Sequence, residues 1–326
     1  MSVKTRFLII SDTHGCVFDV KGAQKADVVI HCGDLTDGSD LSEHRRTLKL
    51  LREIDSPLKL VIAGNHDFTL DTPAFRKLIE EAPTPLEPEL VDRTYGRQNE
   101  ARQLYDETPG ITFLDEGTHK FTLANNTTLT VYASPFTPSK TCAGAYQYAP
   151  STGHDFSIDD NVDAVITHGP PHGIMDMTDS KERAGCPQLF TAICKARPIM
   201  HCFGHIHEGW GAKMIAWRDQ IPEQPSHFNA IDNSRAIVVD KLTNLTSTKF
   251  DDVEARAQKR KAAEFFLRQG FRGASHCRGD EHRLEKGIHT LFVNASVEGG
   301  KEELPMQPPW LVDIELPVNA QHDEGK

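Results

Sequence analysis

No apolar run in the 326-residue chain approaches the length needed to cross a bilayer as a helix, so no membrane-spanning helix is expected. The basic excess of a bulk nucleic-acid binder is missing too. Lys and Arg number 36 against 47 Asp and Glu, a formal net charge of −11 that repels long polyanions. Small phosphorylated molecules stay open as partners, because a bound metal can supply its own positive field. Cysteine is sparse and unpatterned. Cys16, Cys32, Cys142, Cys186, Cys194, Cys202 and Cys277 include no CxxC pair and no repeating interval, which predicts reduced thiols. The apolar run Phe7 to Ile10 is too short for a secretion signal and no cleavage site follows it, so a cytoplasmic location is expected. No internal repeat of fixed period and no signal for an oligomeric state is present.

What is there reads as an ordinary globular chain, with 38% hydrophobic and 25% charged residues, and predicts one domain over residues 1–326. Short apolar runs recur and end abruptly in polar motifs. Phe7 to Ile10 precedes SDTHG, Val28 to Ile30 precedes HCGD, Leu58 to Ala63 precedes GNHD, Ala164 to Ile166 precedes THGPP, and Ile199 to Phe203 precedes GHIH. Each pair reads as a strand feeding a functional loop. Helices are expected at Ser42 to Leu51, Pro73 to Glu81 and Pro187 to Cys194, which makes an α/β architecture with polar groups gathered at strand ends. Thr128 to Ala133, Thr290 to Val297 and Trp310 to Leu316 look more antiparallel and are expected in a second sheet packed on the first. Residues 215–288 are mostly polar and read as an insertion within the domain, with a helix from Val253 to Arg268. Glu81 to Asp92 reads as an exposed connection.

Metal ligation explains the five polar loops together. Asp12 and His14 lie two apart, so on an extended segment both side chains point the same way; His205 and His207 repeat that spacing. Asp34 follows Gly33, and its two carboxylate oxygens can bridge two ions. Asn65 adds an amide oxygen and His168 an imidazole. Seven ligands suffice for two divalent ions, and a mixed nitrogen and oxygen shell suits Mn, Fe, Zn, Co or Ni, with Mn favoured.

In this order, Asp12-Thr13-His14, Gly33-Asp34, Gly64-Asn65-His66-Asp67, His168 and Gly204-His205-Ile206-His207 resemble the calcineurin-like metallophosphoesterases over roughly 60% of the chain. VIAGNHD, THGPPHGIMD, FGHIHEGWG and FVNASV further resemble the metallophosphoesterase-domain-containing proteins related to the animal brain metallophosphodiesterases; residues 215–288 depart from their compact form. The resemblance implies a four-layer α/β/β/α sandwich of two mixed sheets flanked by helices. It also implies one ion on Asp12, His14, Asp34 and His207, a second on Asp34, Asn65, His168 and His205, and attack by a hydroxide shared between them. His66 would be the general acid, with Asp67 orienting it. Cyclic nucleotides are the substrate class implied for such a phosphodiesterase, with small-molecule phosphomonoesters as the alternative.

Other residues have two readings. His172 reads as a substrate contact or as a solvent-facing loop histidine, the commoner case. Asn294 reads as a substrate-side residue that positions a loop near the metals, or as a turn cap. His31 and His201 read as core histidines. The basic stretch Arg256 to Arg272 reads as a solvated helix face packed through Phe265, Phe266 and Leu267, rather than as an RNA clamp.

Overall fold

The computed structural model describes residues 2–16, 18, 25–301 and 304–319. The chain runs through β1 (Ser2–Ile10), β2 (Val28–His31), α1 (Leu41–Glu53), β3 (Leu58–Val61), α2 (Thr72–Glu80), α3 (Pro88–Tyr95), α4 (Glu100–Asp106), β4 (Ile111–Phe113), β5 (Gly117–Thr122) and β6 (Thr128–Ser134). It continues with β7 (Thr137–Pro138), β8 (Gln147–Tyr148), β9 (Ala164–Thr167), α5 (Pro187–Ala196), β10 (Met200–Phe203), β11 (Gly211–Trp217), β12 (Ile231–Lys241), α6 (Val253–Gln269) and β13 (Arg272–Ser275). Last come β14 (His289–Asn294), β15 (Glu298–Lys301), β16 (Leu304–Met306) and β17 (Trp310–Pro317).

The end of β1 shows why the layers form. Phe7, Leu8, Ile9 and Ile10 are all fully buried, and strand alternation sends them to opposite faces. Phe7 and Ile9 join a core with Ile30, Val131, Ile166, Cys202 and Val293, residues of both large sheets. Leu8 and Ile10 join Leu48 and Leu51 of α1 and Tyr105 of α4 on the outside. The other sheet repeats the pattern, with Val165, Phe203 and Phe292 packed on Leu189, Phe190 and Ile193 of α5. The result is the four-layer α/β/β/α sandwich. Each large apolar side chain buried this way contributes about 1.5–3 kcal/mol.

One sheet has six strands in the order β13-β17-β1-β2-β3-β4, and the other has seven in the order β12-β11-β14-β10-β9-β6-β5. Parallel neighbours at the centre of each sheet, β1, β2 and β3 in one and β6, β9, β10 and β14 in the other, bring their carboxyl ends to one rim. The strands expected to be antiparallel are mixed. β6 and β14 each have one parallel and one antiparallel neighbour, and β17 lies in the same sheet as β1 rather than in the second one.

Ile215 sits inside β11, and residues 215–288 also carry β12 and β13, which form one edge of each sheet. Helix α6 lies across this end through Ala262, Ala263 and Phe266. Phe265 and Leu267, expected on its packing side, are exposed, because three consecutive helical residues cannot share one face. The connection expected over Glu81 to Asp92 instead carries the start of α3, begun by Pro88 in the first turn.

Candidate metal centre

The loops that leave the parallel strands hold all seven predicted ligands on that rim. Asp12 donates its backbone N–H to the carbonyl of Gly33 and His14 donates to that of Asp34, at 2.9 and 3.1 Å, so the loops after β1 and β2 continue the ladder. Gly204 donates to the carbonyl of His168 at 2.9 Å and couples the other pair of loops. The backbone is forced at this point: Asp12, His14, Asp34 and His205 have φ of 54°, 46°, 51° and 66°. Such left-handed non-glycine residues cost on the order of 1 kcal/mol or more each, and they cluster where function over-determines the conformation. Gly204 has a steric reason: a Cβ there would run into the Asp12 carboxylate and the Ser11 hydroxyl.

The predicted ligand atoms form two groups, Asp12 with His14 and His207, and Asp34 with His168 and His205, and His14 also forms a third with Asp37 and His66; within each group the atoms lie within 4.8 Å of one another. Asp34 belongs between the first two. Its Oδ2 is 3.2 Å from His168 Nε2 and 3.8 Å from His14 Nε2. Asn65 Oδ1 lies 2.9 Å from His168 Nε2, and His207 Nε2 lies 3.4 Å from Asp12 Oδ1. Two donors about 2.1 Å from one ion and at right angles are about 3 Å apart, so the shorter of these spacings are those that neighbouring donors on one bound ion would have. His14 supplies an independent sign. Both its ring nitrogens are buried and neither makes a hydrogen bond. The residues therefore fit two divalent cations, with oxygen and imidazole donors of the kind such cations take.

Electrostatics agree. Burial opposes ionisation of Asp12, yet its bond and charge interaction with His207, helped by His168 and His14, hold its carboxyl well below the usual range. Burial likewise opposes Asp34, and His168 outweighs it, bringing the carboxyl down to about 2. Against their own burial, His168 is raised to about 9 by Asp34 and His207 to about 9 by Asp12. Buried carboxylates here stay charged and draw cations to themselves.

The remaining predicted residues separate. His66 stands beside the first group, its ring 4.7 Å from that of His14, and its Nδ1 donates to the carbonyl of Asp37 at 2.8 Å. Asp67 does not meet the His66 ring. It is fully buried and accepts from the N–H groups of Leu35, Thr36 and Gly64 and from the Thr36 hydroxyl, tying the loops after β2 and β3 together. Burial and the charge of Asp34 push its carboxyl up to about 6. The acid facing His66 is Asp37, with Oδ1 3.6 Å from Nδ1.

Asn294 is fully buried: Nδ2 donates to the carbonyl of Ile206 between the two ligand histidines, which positions that loop, and Oδ1 accepts from the N–H of Ser296, which caps a turn. His172 falls outside both ligand groups, with Nδ1 3.6 Å from Asp176 and its ring 5.7 Å from that of His227. His31 and His201 are buried and bonded to Thr13 and Thr167 at 3.0 and 2.8 Å. Three residues at the site escaped the sequence reading: Asp37, Ser296 and Glu298. Ser296 donates to Asp12 Oδ2 at 2.7 Å, and Glu298 Oε2 lies 2.9 Å from His14 Nε2. Only the fold brings the last two to Asp12 and His14, so no spacing signal exists for them.

The family model described as calcineurin-like phosphoesterase matches residues 5–209, well over half of the chain, and those residues carry all seven ligands. The chain belongs to the calcineurin-like phosphoesterase family. It is similar to UPF0046 protein T07D4.2 of Caenorhabditis elegans, at 32% identity over 216 residues, 63% of this chain and 52% of that protein. It is similar to metallophosphoesterase domain-containing protein 1 of Homo sapiens, at 29% identity over 220 residues, 64% of this chain and 62% of the relative. UPF0046 protein K07C11.7 of Caenorhabditis elegans is 28% identical over 211 residues, 63% of this chain and 64% of its own. The chain thus spans between half and two thirds of these relatives.

Proposed function

We propose that this calcineurin-like phosphoesterase is a dinuclear metal-dependent hydrolase of phosphate esters, acting as a phosphodiesterase on small diesters such as cyclic nucleotides. The observation that carries the reading is Asp34 between two ligand groups with His66 at their edge. Two bound divalent ions would acidify a shared water into a nucleophile near neutral pH and stabilise negative charge on the phosphoryl oxygens, Mn being the favoured metal.

The chain supplies the rest. Asp12, His14 and His207 would hold one ion and Asn65, His168 and His205 the other, while Asp34 serves both. His66 would protonate the departing oxygen. Its Nδ1–H is engaged by the Asp37 carbonyl, so Nε2 is the nitrogen that delivers the proton. The N–H of His66 donates to Asp34 Oδ1 at 2.9 Å, which fixes the acid relative to the shared carboxylate. The net charge of −11 supports small substrates over long nucleic acids.

The test is hydrolysis of bis(p-nitrophenyl) phosphate against p-nitrophenyl phosphate by metal-stripped protein resupplied with Mn, Co, Ni, Zn or Mg, followed by a panel of cyclic nucleotides. Faster, metal-dependent diester cleavage supports the reading. Preference for the monoester would make the chain a phosphomonoesterase, and two bound ions without turnover would make it a binding scaffold.

A further inference from the structure

We propose that Glu298 is an additional ligand of the first metal site, delivered by the β15–β16 hairpin. This rests on the dinuclear reading above. Glu298 Oε2 is 2.9 Å from His14 Nε2 and 3.8 Å from His207 Nδ1. The shorter distance is the about 3 Å expected of two neighbouring donors on one ion, and matches the Asn65 to His168 spacing in the second group. Among the described residues the Glu298 carboxylate has no Lys or Arg partner; it faces the two imidazoles of the first group alone.

The backbone around it is held in place. Immediately before Glu298, Ser296 bonds Asp12 and the Val297 N–H donates to the carbonyl of Ser11 at 2.9 Å. Gln307, just past β16, donates through Nε2 to the carbonyls of both Glu298 and His207, at 2.8 and 3.2 Å. One side chain therefore ties the hairpin to the ligand loop. A glutamate clamped at this position, with a half-exposed carboxylate pointing at an imidazole that lacks hydrogen bonds, completes a shell of Asp12, His14, Asp34, His207 and Glu298.

The test is calorimetric titration of the metal-stripped full chain with MnCl2, which reads binding and not turnover. Wild type is expected to show two binding events. Glu298→Gln should weaken one of them about tenfold or more and leave the other unchanged. In a His14→Ala background the same substitution should add nothing, and in an Asn65→Ala background it should weaken the remaining event. Unchanged thermal melting of metal-free Glu298→Gln would show that the hairpin is intact. Two unchanged events in an intact Glu298→Gln would overturn the assignment and leave the dinuclear reading standing. A single event in wild type would overturn the dinuclear reading, and Glu298 would then stand or fall on whether its substitution weakens that event.

Discussion

Ser296 donates its hydroxyl to Oδ2 of Asp12 across 2.7 Å, in a fully buried contact between residues 284 positions apart in sequence. The same carboxylate takes the N–H of His205 at 2.9 and 3.1 Å to its two oxygens. Asp12, which follows β1 of one sheet, is thereby aimed by two groups of the other, since Ser296 follows β14 and His205 follows β10. Removing the hydroxyl leaves Oδ2 with only the longer, 3.1 Å bond from His205. Ser296→Ala should weaken metal binding about tenfold, as loss of an outer-shell partner usually does, with the fold intact. Metal content after dialysis against graded chelator checks this; unchanged retention would deny Ser296 the role.

Gly204→Ala should be far more damaging. Its Cβ would meet the Asp12 carboxylate and the Ser11 hydroxyl, so either the loop or the ligand must move. Loss of at least one bound ion is expected, together with a lower melting temperature of the metal-free protein. Two ions at full affinity would show that the loop relaxes freely.

His66→Ala should leave metal binding intact and slow diester hydrolysis on the order of 10²–10⁴-fold for an alkoxide leaving group, the usual range for a lost general acid. With p-nitrophenolate, which departs without a proton, the loss should be much smaller. Equal losses for both leaving groups would show that His66 does something other than donate a proton.

Much of this centre was legible because its signals are local. Asp12 and His14, or His205 and His207, stand at the ends of apolar runs that declare their strands, although Asp12, His14 and His205 turn into the left-handed region instead of continuing extended as their spacing predicts. The edges of the fold were not legible in this way. Strand β12 is mostly exposed or half-buried and runs through Asp232, Asn233, Ser234 and Arg235, residues with poor strand propensity, so its pairing with β11 rather than its own sequence makes it a strand. Helix α3 buries nothing completely and so shows no deep apolar face to read. Glu298 and Ser296 reach the metal loops only through the order β1, β17 and β14 take in two separate sheets, which no window of sequence contains.

Stability of the metal-free protein should fall on acidification below about pH 6.5. His44 is fully buried between Tyr105 and Thr69, at 2.9 Å from each hydroxyl, and burial pushes its pKa down to about 4. Burial takes His201 down to about 3. Between about pH 6.5 and 4 the unfolded chain holds a proton at His44 that the folded chain lacks, so stability drops as pH falls, by up to about 1.4 kcal/mol per pH unit. Urea unfolding at pH 7, 6 and 5 should show this, and His44→Gln should flatten the slope by up to one proton. A slope unchanged by the substitution would contradict the assignment.

The central claim is that Asp34 joins two ligand groups into one working centre, and titrating metal-stripped protein with Mn while following bis(p-nitrophenyl) phosphate hydrolysis tests it most directly. The account predicts that the rate needs two equivalents of metal to reach its plateau and that Asp34→Asn loses that plateau. A full rate at one equivalent, or a rate that survives metal removal, would contradict it.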